Sequence, residues 1–182
     1  FVMMNILRIL PRNLLSYLFG TLVSLELPLF SNLVKKIFLS LFDLVESESE
    51  KPFSSYPSLQ KMFVRKLKDG ARPLAETDFV VPVDGKASQG GLLESGKLKL
   101  IQAKGKDYSL ADLLEDAKLA DQFVGGAWCT IYLAPFNYHR IHTPVAGEVL
   151  KATHIPGTLW PVNDWSVSNI ENLFCVNERV IS

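Results

Sequence analysis

The chain is 182 residues long, 48% apolar and 21% charged, and its 19 basic and 19 acidic residues cancel to zero net charge. That balance excludes a disordered polymer and suits a single core with an apolar extension. With no bulk charge to attract polyanions, nucleic acid is not expected as a partner, and any membrane attraction must be local or apolar. Two cysteines, Cys129 and Cys175, are too few for a disulfide framework or a zinc quartet and point to a reduced, cytoplasm-facing location.

From Asn13 to Leu25 no residue is charged, but Glu26 and then Lys35-Lys36 interrupt, so no run reaches the roughly 18–20 apolar residues that span a bilayer. Leu14, Leu18 and Leu22 recur at helical spacing, and Leu33, Val34, Ile37, Phe38 and Leu41 do so after a break at Pro28. The pattern predicts two or three amphipathic helices over residues 1–48. Arg8, Arg12, Lys35 and Lys36 flank the apolar faces, a composition suited to lying in a membrane interface. A signal peptide is the competing reading, although no small-residue cleavage site follows a clean apolar stretch.

Residues 46–57, rich in Ser, Glu and Pro, read as a polar linker or a helix-to-helix connection. A helix over Leu59–Lys68 should follow, ended by Gly70 and Pro73. Its basic residues Arg65, Lys66 and Lys68, with Arg72 just beyond, read mainly as a solvated face, contact with lipid phosphate being the alternative. From Phe79 on, short β-type runs are punctuated by Gly and Pro, with one helix near Ser109–Leu119, where Ser109 and Asp112 stand at capping-box spacing. The fold class expected is α+β: N-terminal amphipathic helices over 1–48, then a mainly antiparallel, β-rich domain over 49–182. No internal repeat is visible.

Two segments carry candidate chemistry. Tyr138-His139-Arg140-Ile141-His142-Thr143-Pro144, just after the apolar run Trp128–Leu133, holds two of the three histidines. Imidazole takes and returns a proton near neutral pH, which makes the pair a candidate acid/base, with a hydrogen-bonded structural corner as the alternative. Phe79–Lys86 is a β-branched run ending at Asp84-Gly85, which sets a carboxylate at a strand end. Such an Asp can orient a histidine, or be plain turn chemistry. Tyr132 falls on one face of the strand entering the histidine loop and reads first as a core aromatic, second as a substrate contact. His154 lies in an apolar alternating run with no acidic neighbour close in sequence, and reads as a core histidine.

These segments stand in order with Phe63–Pro73, with Ile101-Gln102-Ala103-Lys104-Gly105 and Tyr108-Ser109-Leu110, and with Asn172-Leu173-Phe174 and Asn177-Glu178-Arg179-Val180-Ile181. Together they resemble the phosphatidylserine decarboxylase family, pyruvoyl-dependent enzymes that make phosphatidylethanolamine. The resemblance implies a self-processing Asp–His–Ser triad in which Asp84 orients His142, and His142 is the base that activates the serine. The family cuts its chain at a Gly-Ser bond, and the serine becomes an N-terminal pyruvoyl group. That cofactor then decarboxylates phosphatidylserine through a Schiff base, releasing CO2. His139 would be the acid that reprotonates the product, or would grip the substrate carboxylate.

The implied partners are a phospholipid substrate, the membrane surface and the protein's own C-terminal pyruvoyl chain. The implied location is peripheral, on the cytoplasmic face of the inner or cell membrane. No metal is required, and self-association is left open. This sequence contains no Gly-Ser step, begins with Phe1 rather than an initiator, and stops at Ser182, where family members continue. It therefore reads as a truncated frame, which alone is expected to perform neither reaction. Neither Ser182 nor Ser88 follows a glycine, so neither is taken as the nucleophile.

Two rival readings come from other classes. Thr143–Val149 followed by Ile155-Pro156-Gly157 looks like the turns of lipoyl- or biotinyl-carrier domains, but that reading wants a lysine on a tight hairpin, and Lys86 is a poor candidate. A metal-dependent hydrolase would use His139 and His142 as ligands three residues apart, with a carboxylate completing the set.

Overall fold

A computed structural model describes residues 11–182 other than Lys97 and Lys104. Arg8 of the expected basic flank lies outside the described residues. The described residues divide into two compact units, one comprising residues 17–86 and 131–148, the other residues 11–16, 87–130 and 149–182.

The first unit is built on two helices, α1 (Arg12–Ser24, entering this unit at Tyr17) and α2 (Pro28–Leu41), bent by 113° at the intervening break. Pro28 occupies the first turn of α2, where its missing N–H leaves no helical bond unmade. Among the described residues no single helix is long and apolar enough to cross a membrane, though the bent pair together meets that length and composition.

The apolar set expected on one face of α2 divides between two sides. Val34 and Phe38 turn inward, packing with Leu39, Leu44, Val23 and Tyr56 onto the buried Phe53, Leu59 and Met62. Leu29, Leu33, Ile37 and Leu41 are exposed, Leu29 at 91%. Lys35 is not at the solvent edge, as expected, but 4% exposed. Its ammonium donates to the carbonyls of Phe53 (3.3 Å), Ser54 (3.2 Å) and Tyr56 (2.6 Å). Three donors thus meet three acceptors, which is what makes burial of this charge tolerable.

Residues 46–57 are the helix-to-helix connection, packed instead of solvated. They form two 3₁₀ turns, Glu46–Glu48 and Phe53–Ser55, with Ser49 and Phe53 buried. Ser49 bridges antiparallel to Leu67, the Glu50 amide donates to Lys66 O (2.9 Å), and the Lys68 amide donates to Glu48 O (2.8 Å). This pairing explains why helix α3, N-capped by Ser58, covers only Leu59–Phe63 instead of reaching Lys68. The residues beyond Phe63 are extended because Glu48–Glu50 offers them partners. Arg65 is correspondingly buried, at 3% exposed, rather than solvated.

The second unit holds most of the strands, in three two-stranded pairs. β1 (Lys86–Leu92) pairs with β4 (Ala127–Tyr132), while β2 (Lys99–Ala103) and β3 (Lys106–Ser109) form an antiparallel hairpin. β5 (Thr153–Ile155) and β6 (Arg179–Ile181) are antiparallel. Helices with strands of this kind make an α+β fold. Leu93, Leu100, Tyr108, Leu110 and Ala120 form one core cluster, and Trp160, Ile170 and Leu173 another.

The helix expected near Ser109–Leu119 is two helices. α4 (Leu110–Leu114) is capped by the Ser109 hydroxyl, and α5 (Ala117–Asp121) by Asp116. Glu115 stands between them in a left-handed conformation (φ 51°), ending α4. Short helices α6 (Asp164–Asn169) and α7 (Leu173–Val176) follow. Buried Gln102 donates to Val167 O (2.8 Å) and Ile170 O (2.6 Å) and accepts from the Leu173 amide (2.8 Å), tying β2 to both. His154 is a surface residue, not a core one. Antiparallel pairing of β5 with β6 brings it to Glu178 (3.1 Å), an acidic neighbour distant in sequence.

Candidate active site

Asp84, His139, His142 and Tyr132 all fall in the first unit. The segments bearing Asp84 and His142 lie side by side: the Val80 amide donates to Pro144 O (2.8 Å) and the His142 amide to Pro82 O (2.9 Å). Opposed residues 80·144 and 82·142 mark antiparallel register. In each pair a proline stands where the reciprocal amide would be, so half of the ladder is missing by sequence. The β-branched run from Phe79 is therefore held in place without forming a regular strand, and β1 begins only at Lys86.

Gly85 passes close to the next segment. A Cβ at this position would stand 2.6 Å from Tyr132 O and 2.8 Å from Ile131 Cγ2. Only glycine lets the chain carrying Asp84 approach that backbone.

The carboxylate of Asp84 is gripped by Arg72. Nε lies 2.9 Å from Oδ1 and 3.1 Å from Oδ2, and Nη2 lies 2.6 Å from Oδ2. Arg72 also donates to Glu48 Oε2 (2.9 Å) and Ala71 O (2.7 Å). Two carboxylates raise its already high pKa further, the hydrogen bond to Asp84 contributing most.

The histidines differ sharply. After β4 the chain turns at Ala134-Pro135-Phe136-Asn137, closed by the Asn137 amide on Ala134 O (2.9 Å) and by Asn137 Oδ1 accepting from the Ala134 amide (2.7 Å). His139 Nε2 donates to the same Ala134 carbonyl (2.9 Å), and its ring stacks on Phe63 at 4.0 Å between centroids. Burial holds His139 below the ordinary histidine pKa, opposed by that hydrogen bond and assisted by the positive charge of Arg65. His142 is exposed, and its Nε2 is hydrogen-bonded with the hydroxyl of buried Tyr138 (3.0 Å), the two rings lying nearly parallel at 5.6 Å.

The structure thus brings Asp84 and His142 onto paired segments, gives the Asp84 carboxylate to Arg72, and gives the His142 ring to Tyr138. Tyr132 is exposed rather than packed in a core, because β4 turns that side chain outward. Three residues that matter here were missed as site members. Arg72 and Arg65 looked like members of a solvated basic face, and Tyr138 looked like a flank of the histidine motif. No local signal marked the two arginines, because Arg72 meets Glu48 and Asp84, and Arg65 meets Phe53, only through the folded chain. Among the described residues Arg65 Nε and Nη1 meet no hydrogen-bond partner, and the guanidinium sits 5.7 Å from the Phe53 ring centre. Among the described residues no three His, Cys, Asp or Glu side chains converge as a metal set, and Lys86 opens a strand instead of tipping a hairpin.

Residues 59–182 match the family described as phosphatidylserine decarboxylase. The chain is 41% identical over 182 residues to a phosphatidylserine decarboxylase proenzyme of Myxococcus xanthus, covering 98% of this chain and 64% of that protein. It is 42% identical over 179 residues to the corresponding proenzyme of an Anaeromyxobacter strain (97% and 62%), and 43% identical over 179 residues to that of Shewanella loihica (96% and 62%). The chain spans a little under two thirds of the length of these relatives. With its paired Pro82 and His142 segments inside the matched region, the chain belongs to the phosphatidylserine decarboxylase family.

Proposed function

We propose that this chain carries the Asp–His half of a self-processing phosphatidylserine decarboxylase, a lyase that converts phosphatidylserine to phosphatidylethanolamine and CO2. The observation that carries the reading is the backbone pairing of His142 with Pro82, two residues from Asp84. It presents an exposed imidazole beside a segment ending in a fixed carboxylate, which suits a base that must meet a hydroxyl from elsewhere in the protein.

His142 takes the proton of the incoming serine. Nε2 is the nitrogen that takes it, once the serine displaces the Tyr138 hydroxyl held there at 3.0 Å, while Nδ1–H is the side through which a carboxylate orients an imidazole. Asp84 supplies that carboxylate on the side Arg72 leaves open. The same presentation of base and carboxylate fits a pyruvoyl cofactor made in place from the serine. Once present, that group supplies the electron sink for decarboxylation. Burial favours the neutral His139 ring, whose Nε2–H is committed to Ala134, so Nδ1 takes up a proton before it can return one to the product.

On this reading the protein works peripherally on the cytoplasmic face of the inner or cell membrane, with a phospholipid substrate and its own C-terminal chain as partners. Support comes from α2, which buries Ser31 and Lys35 while exposing Leu29, Leu33, Ile37 and Leu41 four residues apart, and from Leu14, Leu18 and Leu22, exposed on α1. A helix that buries two of its polar residues and exposes four aliphatic ones, with the exposed Lys36 beside them, suits a membrane interface.

The test is denaturing intact-mass analysis of the protein made from its complete reading frame, with and without a carbonyl-reactive amine. Two chains, the smaller starting with a trappable ketone, support the reading. A single chain without a carbonyl refutes it.

A further inference from the structure

We infer that Arg72 is the positioning residue of Asp84, with Glu48 holding Arg72 in turn; this rests on the processing role proposed above. Arg72 bonds both oxygens of Asp84 from one side, through Nε and Nη2. A carboxylate has about four lone-pair sites, so a fork on one side fixes its plane and leaves acceptor capacity for an imidazole. An arginine at the surface would ordinarily sample many rotamers. Here its other contacts remove that freedom: Nη2 reaches Glu48 and Nη1 the carbonyl of Ala71.

The backbone beneath is equally fixed. Glu48 O accepts from the Lys68 amide, Lys68 Nζ returns to Ser47 O (2.8 Å), and the Ala71 amide closes a turn on Lys68 O (3.1 Å) through Gly70 at φ 78°. Pro73 then restricts Arg72 to extended backbone. An exposed ion pair contributes little to stability, so the use of this one is geometric. Lysine, a point charge without a fork, cannot reproduce it.

The experiment follows self-cleavage of the complete protein for Arg72→Ala, Arg72→Lys and Glu48→Gln beside Asp84→Ala and His142→Ala, with thermal unfolding of each. Arg72→Ala should remain folded and process about 10- to 100-fold more slowly. Arg72→Lys and Glu48→Gln should fall between it and the parent. Ethylguanidinium added to Arg72→Ala should restore part of the rate, whereas ethylammonium at equal ionic strength should not. Parental rates for Arg72→Ala overturn the inference. So does an Arg72→Lys that processes at the parental rate, which would show that charge without the fork suffices. If Arg72→Ala fails to fold, the ordering of Arg72→Lys and Glu48→Gln below the parent decides. Normal cleavage of Asp84→Ala and His142→Ala would instead sink the processing role itself.

Discussion

The backbone amide of His142 donates to the carbonyl of Pro82 at 2.9 Å, so the candidate base and the candidate carboxylate segment share a register set by the main chain. Side-chain substitution at either residue should therefore remove chemistry while leaving the pairing. In the complete protein, Asp84→Ala and His142→Ala should accumulate uncut precursor on a denaturing gel. His139→Ala should be cut yet decarboxylate poorly. Cleavage of the His142 variant at the parental rate would remove it from the role of base.

His139 makes a pH dependence predictable in sign. Its folded pKa lies below the unfolded value of 6.5, so the folded state binds the proton less well than the unfolded state. The neutral ring's contribution is therefore complete above 6.5 and declines as pH falls toward the folded pKa. Urea unfolding between about pH 7.5 and 5.5 should show stability decreasing with acid, and His139→Phe should flatten that slope. An unchanged slope in the variant would show that other groups carry it.

Gly85→Ala should act through the backbone beside it. The added methyl would stand 2.6 Å from Tyr132 O, which cannot yield as a flexible side chain can. Destabilisation on the order of 1–3 kcal/mol is expected by denaturant titration, with slower processing because Asp84 is displaced. Gly70→Ala would meet no neighbouring atom but is strained by φ 78°, a useful contrast between close approach and dihedral strain.

Leu29→Asp combined with Leu33→Asp should weaken sedimentation with anionic phospholipid vesicles by about ten-fold or more. Both side chains are exposed, so the melting temperature should hardly move. Unchanged vesicle binding would exclude the outer side of α2 as the lipid contact.

Gln102→Leu tests the second unit. It would strand the carbonyls of Val167 and Ile170 and the amide of Leu173, for an expected loss of about 3 kcal/mol or more by urea titration. A loss below about 1 kcal/mol would mean that other partners take over these groups.

Local features of the sequence were read correctly where the physics is local. The break at Pro28, the Ser109 cap, the presence of helices α1 and α2 and the strand ending near Leu133 all follow from bonded neighbours and spacing, and they appear in the structure. Features that depend on a distant partner were misread. The helix predicted to run to Lys68 stops at Phe63 because residues 48–50 claim the following backbone, and His154 meets Glu178 only through strand pairing.

The sequence by itself determined the family, through ordered motifs, and the residue types available for proton transfer, because composition and order need no coordinates. The tertiary structure alone decided which charge meets which. It set Arg72 on Glu48 and Asp84 and His154 on Glu178, and it turned Lys35 inward onto the carbonyls of Phe53, Ser54 and Tyr56. The physical reason is that electrostatic and hydrogen-bond partners are selected by distances of about 3 Å, and chain folding sets such distances between residues far apart in sequence.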